Sequence, residues 1–376
     1  MRLIKHITLL LLLSGPLLSG ALHAQTNQNY SIEPGLQAFQ SEDYDTALEN
    51  FTEGAMIGHA LAQFNLGLMY HQGIGIEPDF ERAMQLYALS AQQGIAQAQF
   101  NLGLMYDRGE GTLQDYREAY YWYLQAAEQG DADGQYAVGT MNFYGQGRAE
   151  NYAEAIRWYQ DAARQGHRDA QYNLGVMHLA GLGTEANPTV ALTWFEMAAD
   201  NGSADAQYNA AMMYANGQGV PRSPARARDF FEMAAEQNLR DAQTQLGMLY
   251  ATGSEEVPRD FEQAHFWFNK AAHRGSAMAQ FFLGRIHAEG LGFEQSMVIG
   301  HMWYEISYRF GYEQAPQYLA RLREQMDADA IEQAEMLALR WMIAYARRNP
   351  GSARLRREEP LAEQLEPATP SQAEAQ

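Results

Sequence analysis

The sequence predicts an all-α solenoid of helix-turn-helix units, and three observations carry the prediction. The stretch from Ile95 to Gly130 begins again 36 residues later, and blocks at that period start at His59, Ile95, Asp131, His167, Ser203, Leu239 and, after one inserted residue, Ser276. Inside the blocks a small residue recurs as Gly67, Gly103, Gly139, Gly175, Ala211, Gly247 and Gly284. An aromatic pair recurs as Trp122-Tyr123, Trp158-Tyr159, Trp194-Phe195, Phe230-Phe231, Trp267-Phe268 and Trp303-Tyr304, with Leu86-Tyr87 in the first block. Helix-capping residues also fall at one register throughout. A period between about 20 and 50 residues marks an array in which each unit buries its apolar face only against its neighbours.

From the start of the chain, Arg2 and Lys5 precede the apolar run Ile7 to Leu13, and small residues end the segment at Ala24. This reads as a secretory signal peptide over residues 1–24. The apolar run is broken at Ser14, Gly15 and Pro16 and is shorter than the roughly 20 residues a spanning helix needs, so no transmembrane anchor is expected after cleavage. The chain has no cysteine, which excludes a lipoprotein signal and a disulfide framework. The expectation is a periplasmic or secreted protein of Gram-negative-type export.

A formal net charge of −20 argues against nucleic acid as a partner, because phosphate binding draws its affinity from clustered Lys and Arg. Past the leader, Lys270 is the one lysine and the other cations are arginines.

Residues 25–58 form a polar lead-in and a helical hairpin from Pro34 to Gly58, with Gly35, Ala47 and Phe51 at the small, small and aromatic positions of a 34-residue tetratricopeptide unit. In each later block the first helix runs from the second residue through Tyr70, Tyr106 and their equivalents. The mid-helix glycine costs about 1 kcal/mol relative to alanine, a cost that fits a site of close helix approach. Gly-x-Gly turns follow, as at Gly73 to Gly75 and Gly109 to Gly111, except in the sixth block, which has Gly253-Ser-Glu-Glu256.

The second helix starts after Asp43, Asp79, Asp115, Asn151, Asn187, Ser223, Asp260 and Ser296, each able to accept a bond from a free first-turn amide. Asp115 with Glu118 and Asn151 with Glu154 resemble reciprocal capping boxes. Pro188 and Pro224 suit the first helical position. The helices close at Gly94, Gly130, Gly166, Gly202, Asn238, Gly275 and Gly311.

On these residues, most specifically Ala98 to Gly130 and Ala170 to Gly202, the chain resembles the Sel1-like repeat family, a relative of the tetratricopeptide repeats. The resemblance spans residues 59–311 as seven repeats and implies antiparallel helix pairs stacked into a right-handed superhelix. Residues 312–348, with Asp327 as a cap and Asp329 and Glu332 near the positive helix end, look like the terminal capping helices of exported bacterial members. From Asn349 to Gln376 apolar periodicity stops and disorder is expected. Arg347, Arg348, Arg354, Arg356 and Arg357 form a basic cluster beside it, read as a solvated charge run, with an acidic-partner or lipid contact as the alternative.

Catalytic signatures are missing: there is no Gly-x-Ser-x-Gly elbow, no His-Glu-x-x-His helix and no phosphate loop. His59, His71, His167, His178, His265, His273, His287 and His301 occupy scattered registers and read as packing or surface residues, so no metal or other cofactor is expected. Some cysteine-rich relatives are associated with penicillin binding or hydrolysis, but this chain has neither their cysteine pairs nor Ser-x-x-Lys.

What remains is a surface. If the first helices line an inner groove, one register holds Asp133, Asp169, Asp205 and Asp241, and another, one turn on, holds Phe64, Phe100, Tyr136, Tyr172, Tyr208 and Phe281. Tyr136, Tyr172, Tyr208 and the four aspartates are the candidate binding residues, suited to an extended or helical basic segment of a partner protein. The competing reading buries the aromatics between helices. The function expected is a non-enzymatic scaffold or regulator; the alternatives are a cell-wall-directed hydrolase or β-lactam-binding protein, and a carbohydrate-binding protein that stacks sugars on the aromatic row.

Overall fold

The computed structural model describes residues 30–350. The expected signal peptide, the tail from residue 351 and Arg354, Arg356 and Arg357 lie outside the described residues. Among the described residues the chain forms eighteen helices and no strand, the fold class of an all-α repeat solenoid. The described residues divide into two compact units, 30–126 and 127–350.

The first unit contains α1 (Glu33–Gln40), α2 (Tyr44–Met56), α3 (Ala60–Gln72), α4 (Phe80–Gln92), α5 (Ala96–Arg108) and most of α6 (Tyr116–Glu128). Its interior is built from Phe39, Ala47, Phe51, Leu66 and Met69, then Tyr87, Leu102 and Met105.

The second unit contains α7 (Ala132–Tyr144), α8 (Tyr152–Arg164), α9 (Arg168–Ala180), α10 (Pro188–Asp200), α11 (Ala204–Asn216) and α12 (Pro224–Glu236). It continues through α13 (Arg240–Thr252), α14 (Phe261–Ala272), α15 (Ala277–Glu289), α16 (Met297–Arg309), α17 (Ala315–Arg323) and α18 (Ala328–Arg348). The second member of each aromatic pair is the more deeply buried, as at Phe195, Phe231 and Phe268, and it packs with the alanines of both helices.

All eight predicted second-helix caps accept a first-turn amide: Asp43 from Thr46, Asp79 from Arg82, Asp115 from Arg117 and Glu118, Asn151 from Glu154, Asn187 from Val190, Ser223 from Arg226, Asp260 from Glu262 and Gln263, and Ser296 from Ile299. The capping boxes, however, are not reciprocal. The backbone amide of Asp115 is bonded to the Tyr106 carbonyl at 2.9 Å and that of Asn151 to the Asn142 carbonyl at 2.8 Å, so neither is left for a glutamate. That bond ties the start of each second helix to the end of the first.

First helices run two residues past the predicted end, to Gln72 and Arg108 in α3 and α5, before a left-handed glycine closes them. They also have caps the sequence reading passed over: His59 and His167 accept through Nδ1, and Asp131, Ser203 and Ser276 accept through oxygen.

At Gly75, Gly111, Gly183, Gly219 and Gly292 the second glycine of the turn serves the contact with the preceding second helix. A β-carbon on Gly219 would stand 2.6 Å from the Pro188 carbonyl carbon, so the turn rests on the first residues of the preceding repeat's second helix. In the irregular sixth repeat Glu256 takes that place. Its carboxylate accepts from Ser223 Oγ and from the Ala225 amide, each at 2.9 Å, so a side chain caps α12 where the turns at Gly111, Gly183 and Gly219 use close backbone contact.

At the C-terminal end Asp327 caps α18 through the Ala330 amide, and Trp341 and Tyr345 pack on Trp303 and Phe310 of the last repeat. Asn349, the first residue of the segment expected to be disordered, is the C-cap of α18.

Candidate functional site

The candidate residues lie on α7, α9, α11 and α13, all within the second unit. Asp133, Asp169, Asp205 and Asp241 occupy first turns and are exposed, whereas Tyr136, Tyr172 and Tyr208 are half-buried one turn further on. Each tyrosine leans on the buried aromatic of its own repeat: Tyr136 on Tyr159 at 5.7 Å, Tyr172 on Phe195 at 5.8 Å and Tyr208 on Phe231 at 5.8 Å. Burial raises all three hydroxyl pKa values. The next contribution in each case is the carboxylate of the following repeat: Asp169 for Tyr136, Asp205 for Tyr172 and Asp241 for Tyr208. Acid and aromatic side chains therefore do alternate along the face. One side of each ring packs inward, and each tyrosine is half-buried overall.

The acidic row is partly compensated. Arg168 pairs with Asp169 at 3.2 Å and Arg240 with Asp241 at 3.0 Å, both well exposed and so worth little. His167 joins the two rows: its Nε2 lies 3.3 Å from Asp133 and its ring stacks on Tyr136 at 4.4 Å.

Phe281 does not belong to the row. It is 2 % exposed, enclosed by Tyr304, Tyr312 and Tyr318, because the C-terminal helices cover that end of the last repeat. The row is already interrupted in the sixth repeat, where Thr244 holds the aromatic register and bonds to Ser276 at 2.9 Å. Phe64 and Phe100 are half-buried in the first unit, against Tyr87 and Tyr123.

A buried amide ladder escaped the sequence reading. In the second unit the side chains of Gln135, Gln171, Gln207, Gln243 and Gln280 each donate to the carbonyl eight residues earlier, Ala127, Ala163, Ala199, Ala235 and Ala272, at 3.0–3.3 Å. The carbonyl oxygens of the first three accept in turn from Gln165, Asn201 and Gln237, each at 2.8 Å. The first unit repeats the device at Gln63, which donates to the Ala55 carbonyl and accepts from Gln93. The recurrent Ala-Gln dipeptide was the available signal.

The histidines are put to several uses. In the first unit Tyr87, His71 and Glu110 line up as a relay, with Tyr87 Oη 3.4 Å from Nδ1 and Glu110 Oε2 2.9 Å from Nε2, but the Tyr87 side chain is fully buried and no substrate reaches it. His301 is buried and receives a bond from Arg323 Nε at 2.9 Å; burial first and the Arg323 charge second push its pKa down to about 4. His265 and His287 face each other. Among the described residues no three His, Cys, Asp or Glu side chains converge on a point. A cavity of about 420 Å³ lies in the second unit between α13, α14 and α15, walled by Phe268 and Phe282 with Arg285 and Glu289 paired through two bonds beside it.

A family model of the Sel1 repeat matches seven successive segments, residues 60–95, 96–131, 132–167, 168–203, 204–239, 240–276 and 277–309. The chain belongs to the Sel1 repeat family. A Sel1 repeat protein from Oxalobacter formigenes is similar to it in structure, with a TM-score of 0.56 and 31 % identity over 64 % of this chain and 96 % of the other. A protective antigen of uropathogenic Escherichia coli strains, described as having an SLR fold, aligns over 93 % of this chain and 100 % of its own at 23 % identity and a TM-score of 0.46. A comparison with curated proteins found no match. Sel1 repeats mediate protein–protein interaction and are generally non-enzymatic scaffolds. No described helix is long and apolar enough to cross a membrane.

Proposed function

We propose that this Sel1 repeat protein is a non-enzymatic periplasmic or secreted scaffold or regulator that binds a basic segment of a partner protein along the first-helix face of its second unit. The observation that carries the reading is the recurrence, in three successive repeats, of a half-buried tyrosine beside the exposed aspartate of the next repeat: Tyr136 with Asp169, Tyr172 with Asp205, Tyr208 with Asp241. A ring already held on one side gives contact area at small entropy cost, and the carboxylates favour Arg or Lys on the partner. The strongly acidic chain extends that preference to longer range. Placement outside the cytoplasm rests on the leader-like pattern of Arg2, Lys5 and the apolar run that follows.

Crosslinking and affinity capture in cells with the tagged protein, beside a Tyr136→Ala, Tyr172→Ala, Tyr208→Ala variant of unchanged helical content, tests this. Selective loss of a partner from the folded variant supports the proposal; the same partners on both proteins overturn it.

A further inference from the structure

We propose that His265 and His287 form a two-imidazole site for a zinc-like divalent ion. The two Nε2 atoms lie 3.3 Å apart, one on α14 and one on α15, and the rings stand nearly perpendicular at 85°. Two imidazole nitrogens bound to one tetrahedral ion at about 2.0–2.1 Å are about 3.3–3.4 Å apart, so the separation of the two Nε2 atoms already matches such a bite. Both rings are half-buried, and Phe293 closes one side at 4.7 Å from His265 and 6.0 Å from His287.

The register sharpens the inference. One repeat earlier the equivalent places hold Arg228 and Tyr250, and the Tyr250 hydroxyl donates to Glu232 at 2.6 Å. In the next repeat both places become histidine and the carboxylate becomes Asn269, so an imidazole pair stands without the acid that would favour its charged form.

Proton balance is simple. The ring that donates in the His–His hydrogen bond moves its proton from Nε2 to Nδ1, both Nε2 lone pairs turn to the ion, and no net proton is released. With two protein ligands, the remaining coordination positions fall to water or to donor atoms of a bound molecule. The inference is independent of the proposed partner face, which lies on other helices.

The test is calorimetric titration of the untagged full chain with Zn²⁺ in a non-coordinating buffer at neutral pH, with Co²⁺ absorption as the reporter of tetrahedral geometry. One site is expected, weakened at least ~tenfold in His265→Ala and in His287→Ala and unchanged in His273→Ala, whose exposed imidazole is at the C-cap of α14. Should either alanine variant lose helical content, His265→Gln and His287→Gln are read by the same criterion. No binding up to millimolar Zn²⁺, or affinity untouched by both substitutions, overturns the proposal.

Discussion

Gly175 and Phe195 meet so closely that a β-carbon on the glycine would stand 2.6 Å from two ring atoms of the phenylalanine, which is fully buried. The same relationship joins Gly139 to Tyr159, Gly247 to Phe268 and Gly284 to Tyr304. Gly175→Ala gains about 1 kcal/mol of helix propensity but forces overpacking that costs about 1–3 kcal/mol, so a net loss of about 1 kcal/mol is expected in chemical denaturation. Phe195→Leu in the same background should recover part of it.

Gln207 donates to the Ala199 carbonyl and accepts from Gln237, and it is 3 % exposed. Gln207→Met keeps the volume and leaves the buried Ala199 carbonyl without its donor, while the exposed Gln237 amide turns to water, so a loss of about 1–3 kcal/mol is expected from urea unfolding. An unchanged midpoint would show that the ladder is incidental to stability.

His301 stays neutral in the folded chain until about pH 4, whereas in the unfolded chain it takes up a proton near its ordinary value of 6.5. Its contribution to stability is therefore complete above that value and is lost as pH falls toward 4, at a slope of up to about 1.4 kcal/mol per pH unit. His301→Gln, which can still accept from Arg323, should lose less stability than the wild type between pH 6.5 and 4.5 in paired denaturation curves. Parallel curves would rule the effect out.

Glu256 receives the Ser223 hydroxyl and the Ala225 amide, and these bonds hold its carboxyl below the usual range. Stability from this cap is present above the ordinary carboxylate pKa and is lost as pH falls through the lowered one. Glu256→Ala should lower the melting temperature at neutral pH, and the gap from wild type should close in acid.

Most of the architecture was legible because each boundary is written twice, once in the 36-residue period and once in local chemistry. Asp79 reads as a cap and behaves as one; Gly175 reads as a packing residue and meets an aromatic ring. The glutamines were missed because Gln is commonly a surface residue, and only the packed structure shows that the Gln171 amide has a carbonyl eight residues back to reach. The capping boxes failed for a tertiary reason, since the cap's own amide is claimed by the first helix of the repeat. Phe281 left the row because the helices that cover it come later in the chain, out of reach of any pattern inside a repeat. The tyrosine–aspartate alternation was legible as spacing, while the intervening His167 was not.

The glutamine ladder also sets a grammar for lengthening the chain. Gln171 and Gln207 use the same two atoms toward equivalent partners, so a joint between repeats can be copied whole, and duplication of one unit's coding segment would insert a module that fits both neighbours. Arg274 and Phe310, which stand where Gln237 supplies its amide, leave the oxygens of Gln243 and Gln280 without partners and mark where that copying rule gives way to the C-terminal helices.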